Sequence, residues 1–159
     1  MARGASRRSY EVEAASDAAP GTVFGLLEDA PGWKAWAGPT VRWSAWEPGR
    51  GEGRPGGIGW VRLLGTRLVH SREEIVAHEP GRMLAYEVRA GFPVRNYRAQ
   101  VTLEPSGPGT RIRWSGGFEP LVPFTGGLML AFTRRLIGSY ARRLAAAAAQ
   151  TGHPADTRR

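Results

Sequence analysis

The chain has 159 residues and a mass of 17.3 kDa, enough for one domain with a real core and too few for two. Its 42% hydrophobic and 23% charged residues are those of an ordinary globular protein. The lack of cysteine excludes disulfides, thiolate nucleophiles and cysteine-based metal sites, and no run approaches the roughly 18–20 apolar residues of a membrane span.

The net charge of +8 invites a polyanionic partner. However, of 22 basic residues only Lys34 is lysine, and the arginines are spread along the chain rather than clustered. General electrostatic attraction is therefore expected, and no specific nucleic-acid partner. Met1–Ser9 is basic but leads into no apolar segment, so it does not read as a signal peptide, and a cytoplasmic address is expected.

In chain order, Ser9–Ala15 alternates Tyr10, Val12 and Ala14 with Glu11 and Glu13, the period of a half-buried strand. Ser16-Asp17 predicts the cap of a short helix with Pro20 in its first turn and Val23, Phe24, Leu26 and Leu27 on its buried face. Asp29-Ala-Pro-Gly breaks it, and Trp33–Trp36 has room for one more helical turn. From Thr40 the pattern turns to strands. Val41, Trp43 and Ala45 alternate with Arg42 and Ser44, and strands follow at 59–64, 67–77, 83–89, 96–103 and 110–118. Short Gly- and Pro-rich turns join them, which predicts antiparallel neighbours.

The last element is a helix over 126–150, with Leu128, Met129, Phe132, Leu136, Tyr140 and Leu144 at three- and four-residue steps. At 1.5 Å per residue it would span roughly 37 Å. No second long helix exists to cover it, so the sheet must. The reading is an α+β chain, a seven-stranded curved antiparallel sheet around a long C-terminal helix, with two short helices after strand one. It is expected to form one domain over 9–151, with 1–8 and 152–159 as flexible termini.

Several motifs carry no chemistry. Gly51–Gly56 satisfies G-x-G-x-x-G, but a strand follows where a phosphate loop needs a helix. His70, His78 and His153 have no metal-site spacing, and no nucleophile elbow is present. What remains are polar groups that strand alternation turns inward. If Ile75 faces the core, Val69, Ser71 and Glu73 share its face; the opposite phase would exchange Glu73 for Glu74. Tyr86 follows on the next strand, Tyr97 on the one after, then Trp114 and Phe118, with Arg95 at the rim.

A carboxylate in an apolar cavity is a candidate acid or base, and a phenol or guanidinium a candidate for polarising a carbonyl. Glu73, Tyr86, Arg95 and Tyr97 are thus the candidate catalytic set. The plainer reading pairs Glu73 with an arginine such as Arg62 or Arg95 and leaves the tyrosines to fill space. The candidate ligand-binding residues are Trp43, Tyr86, Tyr97, Trp114, Phe118, Phe124, Met129, Phe132 and Leu136. The apolar segment Phe118–Phe124, bracketed by Gly116-Gly117 and Gly126-Gly127, is a candidate moving mouth.

The segments Ala19–Asp29, Pro31–Trp36, Arg72–Val76, Glu79–Tyr86, Pro93–Ala99 and Gly109–Trp114 carry a resemblance. The chain resembles the START-like, or SRPBCC, superfamily with the helix-grip fold, and within it the polyketide cyclase/dehydrase and lipid-transport-like branch. The glycine-rich loop at 49–57 is similar to the one between the second and third strands of birch-pollen-allergen-like relatives. The resemblance implies a cavity between sheet and helix for a polyketide- or lipid-like molecule, with no cofactor and no metal. It leaves two functions open: a cyclase/dehydratase-like lyase or isomerase, and a non-catalytic carrier or sensor. Further partners under these readings are an acyl carrier protein or an anionic membrane surface, with monomer and homodimer both open.

Overall fold

The computed structural model describes residues 6–152. Its strands are β1 (Arg8–Ser16), β2 (Trp43–Trp46), β3 (Val61–Gly65), β4 (His70–Glu79), β5 (Met83–Ala90), β6 (Val94–Ser106) and β7 (Gly109–Pro120). They form one antiparallel sheet in the order β1-β7-β6-β5-β4-β3-β2. Strands two to seven are a meander, and the first strand returns to pair with the last. Between β1 and β2 lie α1 (Pro20–Glu28), a 3-10 turn at Ala30–Gly32 and the single-turn α2 (Trp33–Trp36); α3 (Gly126–Thr151) ends the described chain. This is the expected helix-grip fold, a curved seven-stranded sheet around a long helix. Arg8 opens β1 instead of ending a tail, and 1–5 and 153–159 lie outside the described residues. Among the described residues no helix is long and apolar enough to cross a membrane.

Local chemistry explains most of these elements. Tyr10 is buried and Glu11 and Glu13 are exposed on β1, as the alternation requires. Pro20 opens α1, where its missing N–H costs nothing. The expected cap is different: Ala19 holds the N-cap position, and no side chain among the described residues caps the helix. Ser16 instead donates from Oγ to the Ala145 carbonyl of α3 at 2.8 Å and accepts from the Ala18 N–H. It ties the end of β1 to the long helix.

The buried face of α3 also differs from the expected one. Thr133, Ile137, Ala141, Leu144, Ala145 and Ala148 are buried, whereas Leu128 and Phe132 are exposed and Met129, Leu136 and Tyr140 only partly covered. Small residues explain the rotation. Alanines and Gly138 let the C-terminal half come close to β1 and α1, so the larger side chains turn sideways, toward the open part of the sheet. The core beneath holds Trp33, Trp114, Leu27, Ile75, Leu84, Leu103 and Ile112, all essentially without solvent contact. Burying each such side chain stabilises the fold by about 1.5–3 kcal/mol.

Candidate functional site

Between the concave face of the sheet and the large residues of α3 lies a cavity of about 310 Å³. β4 contributes Ser71 and Glu73, β5 Tyr86 and Val88, β6 Tyr97 and β3 Leu64, while α2 contributes Trp33. Phe132, Thr133, Leu136, Ile137 and Tyr140 of α3 close the opposite side. The β3–β4 hairpin (Val69, His70), the β5–β6 turn (Gly91, Phe92) and Thr40 frame it at the chain's loops.

The phase of β4 is the one that turns Glu73 inward; Glu74 lies on the other face, 2.9 Å from Arg89. Arg62, on β3 directly opposite Glu73, is 1% exposed. Its Nε donates to Oε2 of Glu73 at 2.7 Å, and its Nη1 reaches the Leu27 carbonyl at 3.4 Å. The guanidinium carbon lies 4.4 Å from the Trp33 ring centre and 4.5 Å from that of Tyr86, a cation between two π faces. Nη2 has no partner. The Ser71 hydroxyl stands 3.1 Å from Oε1 of Glu73. Glu73 thus carries the arginine pairing of the plainer reading through Oε2, accepts from Ser71 through Oε1 and lines the cavity.

Tyr86 and Tyr97 both line the cavity and are both buried. Trp114 donates from Nε1 to the Tyr86 hydroxyl at 3.1 Å, and the hydroxyls of Tyr97 and Tyr10 are 2.6 Å apart. Burial pushes the Tyr86 phenol well above its ordinary value, and the neighbouring Tyr97 and Glu73 add to this. Burial likewise raises Tyr97, against hydrogen bonds from Tyr10 and Tyr86 that lower it. Tyr140, whose hydroxyl is 3.0 Å from Oγ1 of Thr40, is raised by burial too. These groups are neutral hydroxyls that can donate to a ligand oxygen.

Of the expected site residues, Glu73, Tyr86, Tyr97, Phe132 and Leu136 meet at the cavity. The others are elsewhere. Trp114 and Phe118 are completely buried behind the wall, Phe118 stacking on Tyr97 at 5.7 Å and 9°. Met129 packs partly against the core rather than the cavity. Phe124 is fully exposed, in the left-handed region at φ 68°. Arg95 lies in a separate concavity with Arg7, Glu87 and Arg98. A bulge between Arg95 and Arg98, with Asn96 at φ 52°, resets the alternation that Tyr97 would have imposed on it.

Trp43 pairs with Gly65 and sits 5.3 Å from the His70 ring, away from the cavity. Val41 had suggested its phase, but Val41 belongs to a preceding turn, and Ser44 is the residue that points inward. The Ser44 hydroxyl donates to the Pro31 carbonyl and accepts from the Lys34 N–H, joining β2 to the helical segment. The candidate mouth is altered as well, because Gly116 and Gly117 lie inside β7.

Trp33, Thr133 and Tyr10 were not foreseen. Thr133 is 1% exposed and lines the cavity, and among the described residues its Oγ1 has no hydrogen-bond partner. Its one signal was position: it is four residues before Ile137 on the helix face that turned out to be buried. Among the described residues no cluster of three or more His, Asp or Glu is arranged to hold a metal.

The family model described as polyketide cyclase / dehydrase and lipid transport matches residues 7–151. Among solved structures, the protein XoxI from Bacillus cereus is similar at 19% identity and a TM-score of 0.71, over 94% of this chain and 99% of that one. A Thermobifida fusca protein solved by NMR is 21% identical over 91% and 93% of the two chains, with a TM-score of 0.70. The structure of Ara h 8.0201 is 16% identical over 91% and 99%, with a TM-score of 0.68. At these identities the likeness is one of fold. No curated protein matches the sequence.

Proposed function

The chain belongs to the polyketide cyclase/dehydrase and lipid transport family, and on that premise we propose that its cavity binds an apolar, polyketide- or lipid-like molecule carrying an oxygen function at its inner end. The carrying observation is a hydrogen count. Trp114 can only donate, and it donates to Tyr86. Among the described residues Tyr10 has Tyr97 as its one hydroxyl partner, and leaving its buried O–H without an acceptor would cost about 1–3 kcal/mol. Tyr10 therefore donates to Tyr97. Tyr97 and Tyr86 keep a proton each and cannot both donate to one another. At least one O–H is left for the cavity that both residues line. A ligand carbonyl is the complement of that donor, and Glu73 is an acceptor for a ligand hydroxyl nearby.

The test compares 2-acetylnaphthalene with 2-ethylnaphthalene, which have nearly one shape and differ in the oxygen. The ketone should bind about tenfold more tightly, the size of one net hydrogen bond. Tyr97→Phe or Tyr86→Phe should narrow the gap. Equal affinity for the two in the unaltered protein would refute the polar inner end, and no uptake of either would refute the cavity as a binding site.

A second reading, cyclisation or dehydration of the bound molecule, is favoured by the shared position of Glu73 and the phenols. A phenol could polarise a carbonyl while Oε1 of Glu73 accepts a proton from the adjacent carbon. Under this reading Glu73→Gln abolishes turnover of a poly-β-keto thioester and leaves binding of the acetylnaphthalene intact. Under carriage alone, no turnover is seen in either protein.

A further inference from the structure

Large apolar side chains stand in solvent at two places beside the cavity. Leu68 (93% exposed) and Val69 form the tip of the β3–β4 hairpin. Leu121, Val122 and Phe124 occupy the loop between β7 and α3, and Leu128 and Phe132 (51% exposed) continue it along the first turns of the helix. Both groups join the cavity. Val69 and Phe132 line it. Phe92, another lining residue, stacks on Phe132 at 6.0 Å, and the next residue, Pro93, accepts a hydrogen bond from the Leu121 N–H. A monomeric protein rarely leaves such a set exposed without a partner for it.

Charge accompanies the patch. Arg67 precedes Leu68, Arg134 and Arg135 follow Phe132, and Arg95 lies on β6 near the same loop; all four are exposed. Among the described residues none of the four makes an ion pair. Arginines that are paired, such as Arg62, Arg89, Arg98 and Arg113, meet their carboxylates on the strands. Glu119, opposite Arg95 in the β6–β7 register, is the acidic group from the neighbouring strand at this end. Unpaired cations beside exposed apolar tips complement an acidic lipid surface, whose headgroups meet the former and whose acyl boundary takes up the latter.

We propose that this rim docks on an anionic phospholipid bilayer, with the hairpin tip and the β7–α3 loop inserted on either side of the cavity mouth. This rests on the reading of the cavity as a ligand site and adds the surface at which the ligand enters and leaves. The geometry favours a bilayer over a protein partner. The apolar groups sit on two separate exposed segments, a hairpin tip and a loop continued into α3, each with a residue at the cavity; a fluid surface conforms to both, whereas a protein would have to match them at once.

Flotation of the full chain with phosphatidylcholine vesicles, with and without a minority of phosphatidylserine, tests the proposal. The protein should float with the acidic vesicles and not with the neutral ones. Leu68→Ser combined with Phe124→Ser should lower partitioning by about tenfold, and Arg134→Glu with Arg135→Glu should remove the preference for acidic lipid. All four positions are exposed, so the variants should retain their melting temperature and their affinity for 2-acetylnaphthalene. Failure of the unaltered protein to float, or flotation of the serine variant equal to it, overturns the proposal. So does light scattering that shows a dimer which the serine variant dissociates, because the patch would then serve a second copy. Loss of acetylnaphthalene uptake in the unaltered protein would instead refute the cavity reading.

Discussion

Arg62 combines a charge, near-complete burial and four neighbours: the Glu73 carboxylate, the Leu27 carbonyl and the faces of Trp33 and Tyr86. Removing one member of such a pair leaves the other charge in the interior, which costs about 3–5 kcal/mol, whereas replacing both with apolar groups is often neutral. Glu73→Ala should therefore destabilise by about that amount, because Arg62 keeps its charge and loses its partner. Glu73→Gln should cost less, since the amide oxygen can still accept from Nε. Arg62→Met together with Glu73→Leu should recover most of the loss. Urea unfolding of the three variants checks the order, and equal losses in all of them would contradict it.

At the scale of the elements, the sheet's inner surface depends on how closely three strands approach. Gly116 on β7 faces Tyr10 of β1 and Ala99 of β6; a Cβ there would stand 2.6 Å from the Tyr10 hydroxyl oxygen and 3.0 Å from the Ala99 Cβ. Neither neighbour can yield easily, since Tyr10 is held to Tyr97 and Ala99 is buried in the sheet. Gly116→Ala should cost about 1–3 kcal/mol by overpacking and weaken ketone binding by displacing Tyr10. Gly127, in the first turn of α3, would meet nothing within 4 Å. Gly127→Ala should stabilise by about 0.4–1 kcal/mol through the unfolded chain. Thermal melts of the pair check the opposite signs. They also separate the two ends of the expected mouth: one glycine is required by packing, the other is free to change.

For the molecule as a whole, the tyrosines link folding to alkaline pH. All 4 tyrosines of the chain, Tyr10, Tyr86, Tyr97 and Tyr140, have raised pKa values, in each case first through burial. The native state therefore holds protons that the unfolded chain releases near the ordinary value of 10.0. Stability from this source is complete below that pH and falls as pH rises beyond it. Tyrosinate absorbance should show no step near pH 10 in the folded protein, and should instead appear together with the loss of far-ultraviolet circular dichroism at higher pH. A titration at the ordinary value with the fold intact would show that the phenols are open to solvent.

The amino-acid order by itself determined the elements and their sequence. Period-two alternation separated Tyr10 from Glu11, glycine- and proline-rich turns made the strands antiparallel neighbours, and a single long apolar helix had to be covered by the sheet. It placed Tyr86 and Tyr97 inward and narrowed the acid to Glu73 or Glu74. The tertiary structure decided what periodicity does not encode. An alternation names a face but not a depth, so Trp114 and Phe118 shared the right face and ended behind the cavity wall. A bulge after Arg95 cancelled the alternation locally. Helix spacing marked α3 as amphipathic, but the close approach of its alanines to β1 selected which stripe was buried and left Phe132 and Leu136 at the cavity. Contacts between residues distant in sequence set each of these outcomes, and no local pattern contains them.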